Sequence, residues 1–123
     1  MAWEALFYET VNGKKPVARF LKGLPSAKAV AKCAKYIAML EEHGFFLPRP
    51  YLEKVRGDLW ALRPEYAGNE YRIIFFHDDG SGAFIVVHAI HKTMQRIPED
   101  DIRTSEARMD DWRERYATKK ETK

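Results

Sequence analysis

One cysteine, Cys33, stands in the 123 residues, so the chain can close no internal disulfide and offers no thiolate cluster to zinc. Cys33 is flanked by alanines in a helix-like stretch and reads as a small core residue. A reducing cytoplasm is the compartment expected for such a chain. No segment approaches the ~18 uninterrupted apolar residues of a membrane span. Met1 to Tyr8 carries Glu4 and lacks the basic start and apolar middle of an export leader, so neither export nor a membrane partner is expected. The four histidines are scattered without metal-ligand spacing, and neither a metal site nor another cofactor is expected. Gly80-Ser81-Gly82 follows Asp78-Asp79, whose charge repels phosphate, so this is a turn and not a phosphate-binding loop. Repeats, low-complexity blocks and linkers are also missing, which points to one domain over residues 1–117 with a frayed polar tail at 118–123.

Acidic residues are absent from two long stretches. From Thr10 to Leu40 there is none, against Lys14, Lys15, Arg19, Lys22, Lys28, Lys32 and Lys35. From Gly80 to Pro98 there is again none, with His88, His91, Lys92 and Arg96 present. The net charge of +3 is modest, but its one-sided distribution suits a polyanion, RNA foremost. A solvated helix face accounts equally well for the N-terminal lysines taken alone.

Trp3 to Tyr8 reads as a strand, and Asn12-Gly13 as a turn. Pro16 opens a short helix that ends at Gly23. Ser26 caps a longer helix to about Glu42, with Val30, Ala34, Ile37 and Leu40 on an apolar face and Lys28, Lys32 and Lys35 on a basic one. Phe45 to Arg56, with Pro48 and Pro50, reads as a connection. Period-two patterning then gives strands at Leu59–Arg63, Glu70–His77 and Ala83–Ile90, the last two joined by the Asp78–Gly82 hairpin loop. Asp100 or Asp101 caps a final helix to about Tyr116, with Ile102, Met109, Trp112 and Tyr116 in one stripe. The order β-α-α-β-β-β-α describes an α+β fold: one antiparallel sheet backed by a helical hairpin.

Three runs carry a family likeness: Leu59-Trp60-Ala61-Leu62-Arg63, Tyr71-Arg72-Ile73-Ile74-Phe75-Phe76, and Val87-His88-Ala89-Ile90 leading to Lys92 and Pro98. Together they resemble the RelE/ParE superfamily of bacterial toxins, and within it the HigB-like, phage-derived branch. That branch ends its last strand in a Lys-Lys-Thr-x-Lys-Thr-Pro segment. This chain has Lys92-Thr93-Met94-Gln95-Arg96-Ile97-Pro98, so Thr93 and Met94 depart from the pattern. The resemblance implies a RelE-like fold and the toxin of a type II toxin–antitoxin pair that cuts messenger RNA on the translating ribosome without a metal. It further implies a HigA-like helix-turn-helix antitoxin as partner, with operator DNA reached only through that complex. A ParE-like DNA gyrase inhibitor and a non-catalytic nucleic-acid-binding member of the family are the alternatives.

Metal-free RNA cleavage needs a base for the 2′-hydroxyl, positive charge for the phosphorane and an acid for the leaving 5′-oxygen. Arg63 ends one strand and Arg72 opens the next, at one edge of the sheet. Their planar guanidinium groups suit a phosphate clamp, or they are strand-edge arginines paired with Glu65 or Glu70. His91, Lys92 and Arg96, with Gln95, follow the last strand in an acid-free stretch. A surrounding cation cluster there readies Lys92 as a base, unless the segment is a solvated basic loop. Tyr66, in the loop between the two arginines, is the candidate to stack on a base, and Lys28, Lys32 and Lys35 are candidate phosphate contacts that also suit an acidic antitoxin surface. His88, amid Val86, Val87 and Ala89, reads as a hydrogen-bonded core histidine, and Trp3, Trp60 and Trp112 as core.

Overall fold

A computed structural model describes residues 3–121, with side-chain surroundings through residue 116. In chain order it contains β1 (Ala5–Phe7), α1 (Pro16–Lys22), α2 (Ala27–His43), two 3₁₀ turns (Gly44–Phe46 and Arg49–Tyr51), β2 (Leu52–Arg56), β3 (Leu59–Leu62), β4 (Glu65–Tyr66), β5 (Asn69–Asp78), β6 (Ala83–Lys92) and α3 (Glu99–Glu121). Five strands lie in the order β1-β6-β5-β3-β2, and the two-residue β4 pairs with the start of β5. All neighbours are antiparallel except β1, which runs parallel to β6 through Ala5↔Phe84, Leu6↔Ile85 and Phe7↔Val86. The sheet is therefore mixed, not purely antiparallel as the strand count suggests. A parallel edge strand needs a long crossover, and α1, α2 and the central strands supply it.

Alternation along β5 divides the core in two. Tyr71, Ile73 and Phe75 face α1 and α2 in one cluster with Val17, Ala29, Cys33, Ile37 and Leu40. Ile74 and Phe76 face α3 in a second, with Met109 and Trp112. The sheet is thus covered on both faces, which accounts for the near-continuous apolar run of β6. The stripe that α2 buries is Ala29, Cys33, Ile37 and Leu40. Val30 is only half-buried and Ala34 is exposed, a rotation of the apolar face from the one expected. The Ser26 hydroxyl caps α2 by accepting from the backbone N–H groups of Lys28 and Ala29.

Three local readings change. The Phe45–Arg56 connection holds β2, whose Leu-Glu-Lys-Val-Arg run follows two prolines and lacks a period-two pattern. Tyr66 lies in β4, half-buried against the hairpin-side core, and is not a free loop residue. Ala67 and Gly68 join β4 to β5 with φ of 54° and 81°, the left-handed pair of a two-residue hairpin turn. α3 begins at Glu99, so Asp100 and Asp101 stand in its first turn, where carboxylates favour the helix dipole. The helix runs on to Glu121, past the tail boundary at 118; residues 122 and 123 lie outside the described residues.

Candidate functional site

Three of the expected catalytic cations are brought together at the end of the sheet where β5 begins. Arg72 lies opposite Ile90 and two residues from the Glu70↔Lys92 pair. Arg63 follows the end of β3, its backbone N–H bonded to the Tyr51 carbonyl at 3.0 Å. Two carboxylates link the cations into a chain. Glu53 Oε1 lies 3.2 Å from Arg63 Nε and 3.4 Å from Arg72 Nε. Glu70 Oε1 lies 3.2 Å from Arg72 Nη2 and 3.5 Å from Lys92 Nζ. The pairing is with Glu53 and Glu70, not Glu65. Lys92, and to a lesser extent Arg72, hold the Glu70 carboxyl below its ordinary range. Lys92 sits beside this carboxylate, in place of the all-cation cluster expected from sequence.

Arg72 is nearly closed off, with 3% of its side chain exposed. Its Nη1 donates to the Tyr71 carbonyl at 2.9 Å, while Nε finds no hydrogen-bond acceptor despite its ion-pair distance to Glu53. A buried guanidinium with an unmet N–H is costly unless a further acceptor arrives. Arg63, Arg72, Glu65 and Glu70 line a polar cleft of about 410 Å³ with Lys32 and Tyr36 from α2. That volume admits a phosphate with its attached sugar. Arg63 and Lys32 line this cleft beside Arg72, whose guanidinium is engaged by Glu53 and Glu70.

The remaining candidates are dispersed. Lys28 and Lys35 are exposed on α2, and Lys32 is the lysine of that row that enters the cleft. His91 is exposed and its ring lies 5.2 Å from that of Tyr71, its register partner. Gln95 and Arg96 are exposed in the segment between β6 and α3, and no contact among the described residues joins them to Arg72. His88 is a half-buried structural residue: Nε2 lies 2.7 Å from Asp101 Oδ1, and Nδ1 lies 3.0 Å from Arg108 Nη1. Arg108 can only donate, so Nδ1 accepts and the imidazole proton sits on Nε2. Burial, helped by the Arg108 charge, lowers the His88 pKa against the pull of Asp101. Trp112 is buried and Trp3 and Trp60 are packed against the core, leaving none as an open base platform. Cys33 is fully buried and its thiol is pushed up to about 11 by burial, so it is unreactive near neutrality. Glu53 is the site residue that the sequence reading missed, because Leu-Glu-Lys-Val-Arg carries no period-two signal that marks β2.

Among the described residues, no helix is long and apolar enough to cross a membrane. Comparison with curated proteins gives no significant match. Residues 19–110 of the 123, from α1 into α3, match the family described as phage derived protein Gp49-like (DUF891). This span includes both arginines, Lys92 and both carboxylates that link them, and the chain belongs to this RelE/toxin-like family.

Proposed function

We propose that the chain is the toxin of a type II toxin–antitoxin pair, of the HigB-like kind, and that it cuts messenger RNA on the ribosome. The observation that carries this reading is the meeting of Lys32, Arg63 and Arg72 in one open polar cleft, with Lys92 joined to it through Glu70. In this reading Arg63 and Lys32 receive the scissile phosphate, and Arg72 adds its charge as the phosphorane forms. The 2′-oxygen attacks phosphorus and the 5′-oxygen leaves, giving a cyclic phosphate and a free 5′-hydroxyl. Lys92, or His91 from the adjacent register position, serves proton transfer. A HigA-like helix-turn-helix antitoxin neutralises the toxin, with acidic groups meeting Lys28 and Lys35 on the exposed face of α2. The complex, and not the toxin alone, engages operator DNA.

One observation favours a second reading, in which the protein binds its target without cutting it, as a gyrase inhibitor does. Arg63, Arg72 and Lys92 each already contact a carboxylate, and no imidazole touches them. Inducible expression in a bacterial host, with mapping of messenger RNA 5′ ends, separates the two. Growth arrest with new in-frame cuts supports the nuclease. Replication arrest with intact messages supports the binder.

A further inference from the structure

A second cleft, of about 390 Å³, opens between α1, β6 and α3, lined in part by Thr10, Lys14, Arg19, Phe20, His88 and Arg108. β1 pairs with β6 only as far as Val86, so beyond that point the outer edge of β6 has no strand beside it and the cleft forms there. Its charge differs in kind from that of the first cleft. Among the described residues no carboxylate forms an ion pair with Lys14, Arg19 or Arg108. On α3 the contrast is internal: Arg103, Arg113 and Arg115 each pair with an Asp or Glu, and Arg108 does not. Arg108 is instead half-buried, donating to the Val87 carbonyl at 2.8 Å and to His88 Nδ1 at 3.0 Å, with the Tyr8 ring 5.9 Å away. Burial of this unneutralised guanidinium opposes its charge, the condition that a bound anion relieves.

Aromatic rings continue from this cleft toward the first. Phe20 meets Tyr71 edge-on at 6.5 Å, and Tyr71 lies 5.2 Å from the exposed His91, the neighbour of Lys92. Tyr71 is buried and Phe20 half-buried, so His91 is the ring of this row that is open to stack on a base between the two sets of cations.

We propose that the Lys14–Arg19–Arg108 cleft binds a phosphate group of single-stranded RNA, as a second anion site on the strand whose cleaved phosphate lies at Arg63 and Arg72. The location of the cleaved phosphate rests on the function proposed above; the anion site itself does not. His88, held by Asp101, keeps Arg108 in place from behind and is a positioning residue.

The test uses the full chain, inorganic phosphate and a short fluorescent single-stranded RNA. Phosphate is expected to shift the NMR signals of Thr10 to Arg19 and of His88, and the RNA to compete for that effect. Lys14 and Arg19 are exposed, so Lys14→Gln with Arg19→Gln leaves folding intact. The double variant should weaken RNA binding about tenfold and flatten the salt slope by about 1.4, or 0.7 for each neutralised contact. Lys22→Gln with Lys54→Gln, matched in charge, exposed and outside both clefts, should change binding less than twofold. Equal losses in the two double variants would overturn the proposal, as would a phosphate signal that RNA does not displace. Loss of binding in Lys14→Gln/Arg19→Gln without any messenger RNA cutting by the wild type would retain the anion site and remove only the nuclease reading.

Discussion

Glu53 is the most informative residue to change, because it sits between Arg63 and Arg72, the pair proposed to take a phosphate. Its carboxylate touches both Arg63 and Arg72 and is about one-third exposed, 32%. A phosphate oxygen held by Arg63 comes within roughly 5 Å of it, where like charges repel by about 1–3 kcal/mol for effective dielectrics between water and a protein surface. Partial exposure and salt favour the lower end. Glu53→Gln removes that repulsion while keeping an amide oxygen for the arginines. RNA affinity is expected to rise about five- to tenfold, since 1.4 kcal/mol is a factor of ten. Folding stability is expected to fall by about 1–2 kcal/mol, because buried Arg72 keeps only Glu70 as a charged partner. Affinity is read by fluorescence anisotropy with a short RNA at fixed salt, stability by urea unfolding, and cleavage separately in a translating extract. Unchanged affinity in a folded Glu53→Gln protein would refute a phosphate position between Arg63 and Arg72. Higher affinity with lost cleavage would assign proton transfer to Glu53 itself.

Three further outcomes follow from the same structure. Gly44→Ala should cost about 3 kcal/mol or more in urea unfolding, because φ is +54° and a Cβ there collides with the Trp3 ring; Gly57→Ala, at φ +58° with nothing within 4 Å, should cost only about 1–2 kcal/mol, so equal losses would remove the steric explanation. Below about pH 6.5 the unfolded chain protonates His88 more readily than the folded one, whose pKa is lowered by burial, so stability should fall as pH drops from 6.5 toward 5. His88→Gln should flatten that slope, whereas the lowered carboxyls of Glu70, Glu99 and Glu106 lose their contributions only below their ordinary value of 4.5; an unchanged slope would sink the assignment. Reversing Lys28 and Lys35 to Glu should weaken antitoxin binding at least tenfold by calorimetry, and equal affinity would move the interface off this face of α2.

What was legible in the sequence followed from strong periodicity. β5, β6, the Asp78–Gly82 turn, the Ser26 cap and both hairpin helices came from alternation, caps and turn residues, each of which acts locally. β2 was lost because Pro48 and Pro50 precede it and its Leu-Glu-Lys-Val-Arg run has no period-two alternation. The parallel pairing of β1 was not readable, because three residues carry no sign of their direction. The chemical site shows the same division. That Arg63 and Arg72 share a sheet end follows from hairpin topology, but that Glu53 lies between them depends on β2, and so on the element that was missed. The environment of Lys92 went astray for a related reason. Residues 80–98 contain no acid, yet β-pairing sets Glu70 directly across from Lys92. Acid-free sequence therefore did not mean an acid-free site. A cleft with no carboxylate in its lining arose at Lys14, Arg19 and Arg108, and on the helix of Arg108 Asp101 is bonded to His88 and Asp111 to Tyr8 and Arg115. Charge counted along the chain describes the field a distant polyanion meets; charge counted across the sheet decides which cations can receive its phosphates. On the second count the lining of the Lys14–Arg19–Arg108 cleft holds no carboxylate, whereas Glu65 and Glu70 stand in the wall of the Arg63–Arg72 cleft.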